Sequence, residues 1–198
     1  LDPNASGPDL QLYFSPVSYT RAPAGVRPLM NPDPFPGFLM GFNPCKPTSV
    51  GNIQISSTDP MLPPKIYSNY LDTDYDKKMM IEGIRLIRRI ANAPALNSII
   101  KDELAPGVGI KSETDIAKYI RQKAWSVFHP CSTCRMGSNP NVSVVDPKLR
   151  VHGVDNLRVV DASIFPTIPT GNINAPSIMV GEYASDIILK DARNQKGL

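Results

Sequence analysis

Histidine is almost missing from this 198-residue chain, which has only two, and cysteine is scarce, with three. An odd, small cysteine count argues against a disulfide scaffold and favours a mostly reduced protein, and so a cytoplasmic location. No uninterrupted apolar run reaches the ~20 residues of a membrane span, because Pro and Gly break every long uncharged stretch. Neither sign of charge dominates: 21 Lys+Arg against 18 Asp+Glu leave +3. No basic stretch interleaves with aromatics, so nucleic acid is not an expected partner. Two Asn-x-Ser triplets, at Asn4 and Asn141, carry no meaning without secretion, and the internal Lys101-Asp102-Glu103-Leu104 is not a retrieval signal. The chain starts at Leu1 with no signal-peptide pattern, and an upstream portion is expected.

What is abundant is proline, 21 residues, about twice the ordinary ~5%. Seven of these fall between Arg21 and Pro47, which reads as loop or interrupted sheet edge. Before it, Leu10, Leu12 and Phe14 alternate with Asp9, Gln11 and Tyr13, the two-residue period of a half-buried strand. Val50, Ile53 and Ile55 read as a second strand that ends at the Asp59-Pro60 turn. Thr73 to Asn92 places Met80, Ile84, Ile87 and Ala91 at helical spacing. Ser112 with Asp115 resembles a capping box opening a helix through Ile116, Tyr119 and Ile120 toward Lys123. Leu149–Val151 and Leu157–Val160 read as a hairpin or two successive strands, and Ser177 as the cap of a last helix with Val180, Ala184, Ile187 and Ile188 inward. With 41% hydrophobic and 20% charged residues, such elements can bury a sizeable core.

Few residues carry chemistry. His129 closes the apolar stretch Trp125, Val127, Phe128 and precedes Pro130, which pushes it toward extended geometry. It can be a base near neutrality or a structural core histidine. His152 falls in a turn beside Gly153 and reads as a surface or turn residue. Cys131-x-x-Cys134 lacks the two further ligands of a zinc site and the βαβ setting of a redox pair, so it reads as two small buried thiols with no metal. Ser132 sits in no Gly-x-Ser-x-Gly elbow, which argues against a hydrolase.

Three ordered stretches resemble the C-terminal signature of the glucose-methanol-choline (GMC) oxidoreductases: His129-Pro130-Cys131-Ser132-Thr133-Cys134-Arg135-Met136-Gly137, Val145 to Val154, and Leu157 to Ser163 continuing through Asn172 to Pro176. Upstream, Val50 to Ile55, Asp59-Pro60, Asn69-Tyr70-Leu71 and the helix to Asn92 are similar to the family's substrate domain. The resemblance implies an FAD-dependent oxidation of a small-molecule alcohol. His129 matches the catalytic histidine that takes the hydroxyl proton, and Asn174 the second catalytic position, where a neutral amide can orient but not deprotonate. Asp161 and Ala162 match residues that approach the diphosphate and ribityl part of FAD. Phe128, Ala175 and Pro176, together with Asn174, match positions beside the isoalloxazine. One departure is Ser132, where the family usually has Gly.

The implied architecture is α/β (α+β). An antiparallel-sheet substrate domain with helices on one side, residues 1–125, is followed by residues 126–198. That second part holds the catalytic motif, strands and a helix that complete a doubly wound FAD-binding domain. No Gly-x-Gly-x-x-Gly occurs among the 13 glycines, so an N-terminal FAD-binding half, in the same polypeptide or as a second chain, is the implied partner. Two alternatives stay open: a non-catalytic binding module that kept the fold, and a flavin-dependent lyase on the same scaffold.

Overall fold

The computed structural model describes residues 1–20 and 31–196, so Arg21 to Met30 of the proline-rich stretch lie outside the described residues. Two compact units form, Leu1–Pro44 with Lys77–Ala124, and Cys45–Asp76 with Trp125–Leu198. The elements mix helices with small antiparallel sheets, as the α/β reading expects.

In the first unit, β1 (Leu10–Ser15) pairs antiparallel with β4 (Leu39–Pro44), and β2 (Tyr19–Thr20) with β3 (Asn31–Pro32). A six-residue strand thus lies inside the stretch whose prolines suggest only loop or broken edge. The reason is spacing: Pro36 precedes β4 and Pro44 ends it, so no proline interrupts its ladder. The register sets Leu12 opposite Phe42 and Phe14 opposite Met40 on one face, but on β1 the burial runs opposite to the expected alternation: Leu12 and Phe14 are exposed and Gln11 and Tyr13 half-buried. The Phe42 ring meets α1 (Asp74–Ala91) at Gly83, where a Cβ would stand 2.1 Å from Phe42 Cε2.

That close approach turns α1 away from its expected phase. Met79, Ile81 and Ile84 are buried, whereas Met80, Ile87 and Ala91 of the anticipated stripe are only half-buried. After the short α2 (Pro94–Asn97), α3 (Glu113–Lys123) starts where the capping pattern places it. Ser112 Oγ accepts from Asp115 N at 3.1 Å and donates to Asp115 Oδ2 at 2.6 Å, and Ile116 and Ile120 are buried. Arg88 holds the connecting loop to α1: it pairs with Glu103 (Nη2–Oε1 2.8 Å) and donates to the carbonyls of Ile110 and Gly107.

In the second unit, β5 (Asn52–Gln54) and β6 (Lys65–Tyr67) form a hairpin with Ile53 opposite Ile66. The expected strands at Leu149–Val151 and Leu157–Val160 are reduced to isolated bridges, Val145 with Val151 and Arg150 with Arg158. Two features interrupt their ladder. Leu149 adopts φ +66°, and the Asp146 carboxylate takes the amides of Lys148 and Arg150 at 2.8 and 3.0 Å. The last helix, α4 (Asn174–Lys196), begins three residues before the expected cap. Ser177 N already bonds Ile173 O at 2.9 Å, and its hydroxyl donates to the same carbonyl, so Ser177 lies in the first turn. Pro176 is tolerated there because a first-turn N–H has no helical acceptor. Val145, Leu149, Ile164, Val180 and Ala184 form the core of this unit.

Candidate active site

The core of the second unit brings the three signature stretches together. Backbone amides of Ser132, Cys134 and Met136 donate to the carbonyls of Ala162, Ser163 and Ile164 at 3.4, 2.9 and 2.8 Å. Gly137 N bonds Val145 O at 2.9 Å, and His152 N bonds Val144 O at 3.0 Å. Ile164, in a one-turn 3-10 helix at Ala162–Ile164, packs with Val180 and Ala184 of α4. Residues more than 40 apart in sequence are thereby fixed around one wholly buried side chain, Val145.

His129 is half-buried and Phe128 is 73% exposed with φ +60°. The Ser126 hydroxyl accepts from Phe128 N at 2.9 Å, and the Trp125 and Phe128 rings meet edge to face at 6.0 Å. Ser132 takes φ +71°, so it reproduces the left-handed geometry that a glycine would adopt without steric cost. Cys131 and Cys134 are free and half-buried, less enclosed than expected, and Cys131 Sγ lies 3.3 Å from Ser132 Oγ.

Asp161 caps the 3-10 turn, accepting from Ser163 N at 2.8 Å and from the Ser163 hydroxyl. Its carboxylate therefore shapes the turn in which Ala162 lies. Asn174 and Ala175 are exposed in the first turn of α4, and Pro176 follows half-buried. Since Ser177 N is bonded and Pro176 has none, the amides of Asn174 and Ala175 are the two left without a helical acceptor. These donors, at the positive end of a 23-residue helix, suit the acceptor atoms of a flavin ring. The exposed aromatic Phe128 suits its face. The sequence contains no Gly-x-Gly-x-x-Gly turn of the kind that supplies backbone donors to a dinucleotide's diphosphate. Among the described residues, no hydrogen bond joins His129 to Asn174.

Sequence reasoning missed three side chains. His152 is half-buried, with Nε2 3.0 Å from Gly137 O and 3.3 Å from Ser143 Oγ. A carbonyl only accepts, so Nε2 carries the proton and the ring ties the signature stretches together. Ser143 Oγ donates to the Gly137 and Asn139 carbonyls at 3.0 and 2.6 Å. Tyr70 donates from its hydroxyl to Ser126 Oγ at 3.2 Å across 56 residues of sequence. A short-range pattern does not reveal partners that far apart.

The chain is similar to known proteins. The sequence profile described as GMC oxidoreductase matches residues 47–181. The oxygen-dependent choline dehydrogenase of Vibrio vulnificus (strain YJ016) is 42% identical over 154 residues, 77% of this chain and 28% of that protein. The alcohol dehydrogenase [acceptor] of Pseudomonas putida is 44% identical over 78% of this chain and 28% of its own length. Among solved structures, pyridoxine 4-oxidase from Mesorbium loti aligns with TM-score 0.76 at 29% identity, over 90% of this chain and 34% of that one. This chain thus spans roughly a third or less of the proteins it matches. With the profile covering well over half of its residues, the chain belongs to the GMC oxidoreductase family and corresponds to its C-terminal portion.

Proposed function

We propose that this chain is the substrate-binding and catalytic portion of an FAD-dependent enzyme that oxidises an alcohol at its CH–OH carbon. One observation carries the reading: the amides following His129 are bonded to the carbonyls following Asp161, on the core that also seats the start of α4. That arrangement holds a candidate base, a turn and a helix N-terminus on one rigid frame. The names of the relatives support the substrate class, since choline dehydrogenase, alcohol dehydrogenase and aryl-alcohol oxidase are all named for alcohols. A related formate oxidase structure concerns modification of FAD, which supports the cofactor. The complete enzyme includes an N-terminal FAD-binding portion, in the same polypeptide or as a second chain. In this reading residues 1–125 serve substrate binding, and residues 126–198 carry the chemistry and the C-terminal part of the cofactor domain.

FAD, when bound, supplies the hydride acceptor; the chain's residues do the rest. His129 takes the hydroxyl proton of the substrate at a ring nitrogen, which raises electron density on the oxygen and loosens the adjacent C–H bond. The Asn174 amide orients the hydroxyl and cannot take its proton at neutral pH. The first-turn amides of Asn174 and Ala175 would hold the flavin ring at its acceptor atoms, with Phe128 and Pro176 packed beside it.

His129→Ala in the complete enzyme is expected to slow alcohol-driven flavin reduction by at least ~100-fold, the low end for a positioned general base, with flavin content unchanged. Stopped-flow absorbance measures this with choline, benzyl alcohol and simple primary alcohols as substrates. Reduction at a near wild-type rate would remove His129 from the mechanism.

A further inference from the structure

We infer that Tyr70 and Ser126 are positioning residues for His129, a role that rests on the function proposed above. The starting observation is backbone strain beside the base. Phe128, the residue before His129, adopts φ +60°, a left-handed conformation that is strained for a residue with a Cβ. Tight packing is not what maintains it, because Phe128 is 73% exposed.

What maintains it is the Ser126 hydroxyl, which accepts the Phe128 amide at 2.9 Å. The same oxygen accepts from the Tyr70 hydroxyl at 3.2 Å. Both lone pairs of Ser126 Oγ are committed, so the hydroxyl has one orientation and the amide it holds has one direction. Tyr70 lies between two left-handed residues, Asn69 and Leu71, with φ of 49° and 60°.

That strained tripeptide is anchored at both ends. Asn69 Nδ2 donates to Val50 O at 3.1 Å, and Ser49 Oγ accepts the amides of Asp72 and Thr73 at 3.0 and 3.2 Å. Ser49 N in turn donates to the buried Asp76 carboxylate at 2.9 Å. Hydrogen bonds thus fix both ends of the 69–73 segment to the stretch that caps α1, and Tyr70 within that segment bonds Ser126, which holds the amide next to His129. Left-handed residues with side chains gather where function demands them. A base must also lie within hydrogen-bond reach of its proton, and a displacement of ~1 Å costs on the order of 100-fold.

The test uses the complete, FAD-loaded enzyme and reads the rate of alcohol-driven reduction per bound flavin at saturating substrate. Ser126→Ala is expected to lower that rate by roughly tenfold or more, within the ~100-fold that misplacing a catalytic group costs, with substrate dissociation constant and flavin content near wild type. Ser126→Thr, which keeps the accepting oxygen, is expected to restore it to within about twofold. Tyr70→Phe removes one hydroxyl and is expected to lower the rate about fivefold, the loss of one neutral hydrogen bond. A purely structural role would lower flavin content or melting temperature and leave the per-flavin rate alone, and that result would overturn the inference. If Ser126→Ala fails to fold, Tyr70→Phe decides, and an unchanged per-flavin rate in it overturns the inference too. A wild-type enzyme whose flavin no alcohol reduces would overturn the functional reading itself, a separable outcome.

Discussion

At Ser132 a side chain occupies left-handed backbone in the turn after His129. The φ of +71° costs Ser about 1–2 kcal/mol, and glycine escapes this while losing ~0.5–1 kcal/mol more chain entropy on folding. Ser132→Gly is therefore expected to raise stability by up to ~1 kcal/mol, read from urea unfolding of the complete enzyme; a loss of stability would show that the Ser132 contact with Cys131 outweighs the strain. Asp76 is the other residue whose surroundings set a measurable outcome. It is 3% exposed and accepts from Thr48 N at 2.8 Å and Ser49 N at 2.9 Å. Burial acts to raise its pKa, but hydrogen bonds from the Ser49 hydroxyl, the two amides and the Thr48 hydroxyl outweigh it, and the carboxyl lies below its ordinary 3.8. A carboxyl lowered by folding adds stability that is fully present above its unfolded value and lost as pH falls through the folded one. Stability should therefore drop on acidification below about pH 4. Asp76→Asn should be weaker by ~1–3 kcal/mol at pH 7 and flatter below pH 4, as chemical denaturation across pH would show.

At the scale of elements, the contact between α1 and β4 turns on one missing Cβ. A methyl at Gly83 would stand 2.1, 2.5 and 2.6 Å from three carbons of the Phe42 ring, so either the ring or the helix would have to move. Alanine is the better helix former by ~1 kcal/mol, but overpacking of this kind costs ~1–3 kcal/mol. Gly83→Ala should lower the melting temperature despite its propensity, and Phe42→Leu in that background should recover part of the loss. A rise in melting temperature for Gly83→Ala would show that α1 can shift at little cost. The same contact explains why the buried stripe of α1 is displaced from the one its periodicity suggests. Hydrophobic spacing identifies a helix and an apolar side, whereas the partner surface selects which residues seal it.

At the scale of the molecule, α4 is apolar on more than one side. Val180 and Ala184 are buried in the core of their unit, while Ile178, Met179 and Tyr183 are exposed. The hairpin β5–β6 likewise exposes Ile53, Ile55 and Ile66, and a two-stranded ribbon by itself is marginal in water. Surfaces of this kind favour association. The 198 residues purified alone are expected to associate and to retain no FAD, since no fingerprint turn is present to bind the diphosphate. Adding the N-terminal FAD-binding portion that the proposed function calls for, linked or as a second chain, should restore both flavin and solubility. Flavin absorbance after gel filtration checks this, and stoichiometric flavin on the isolated chain would demand a diphosphate site elsewhere in it.

Local sequence alone determined a good part of this protein. The existence of a strand at Leu10 to Phe14, though not which of its faces is buried, the Ser112–Asp115 cap and the helix ending before Pro94 were legible because neighbours within four residues decide them. The signature stretches were legible as family resemblance, whereas the roles that resemblance implies for His129 and Asn174 belong to the proposed function. Tertiary structure alone decided how the stretches interlock, that β4 forms amid prolines, and that the expected C-terminal strands shrink to bridges. It also decided that His152 ties Gly137 to Ser143 and that Tyr70 reaches Ser126 across 56 residues. The physical reason is the same in each case. Hydrogen bonds between distant segments depend on where the chain returns in space, and no periodicity in the sequence encodes that return.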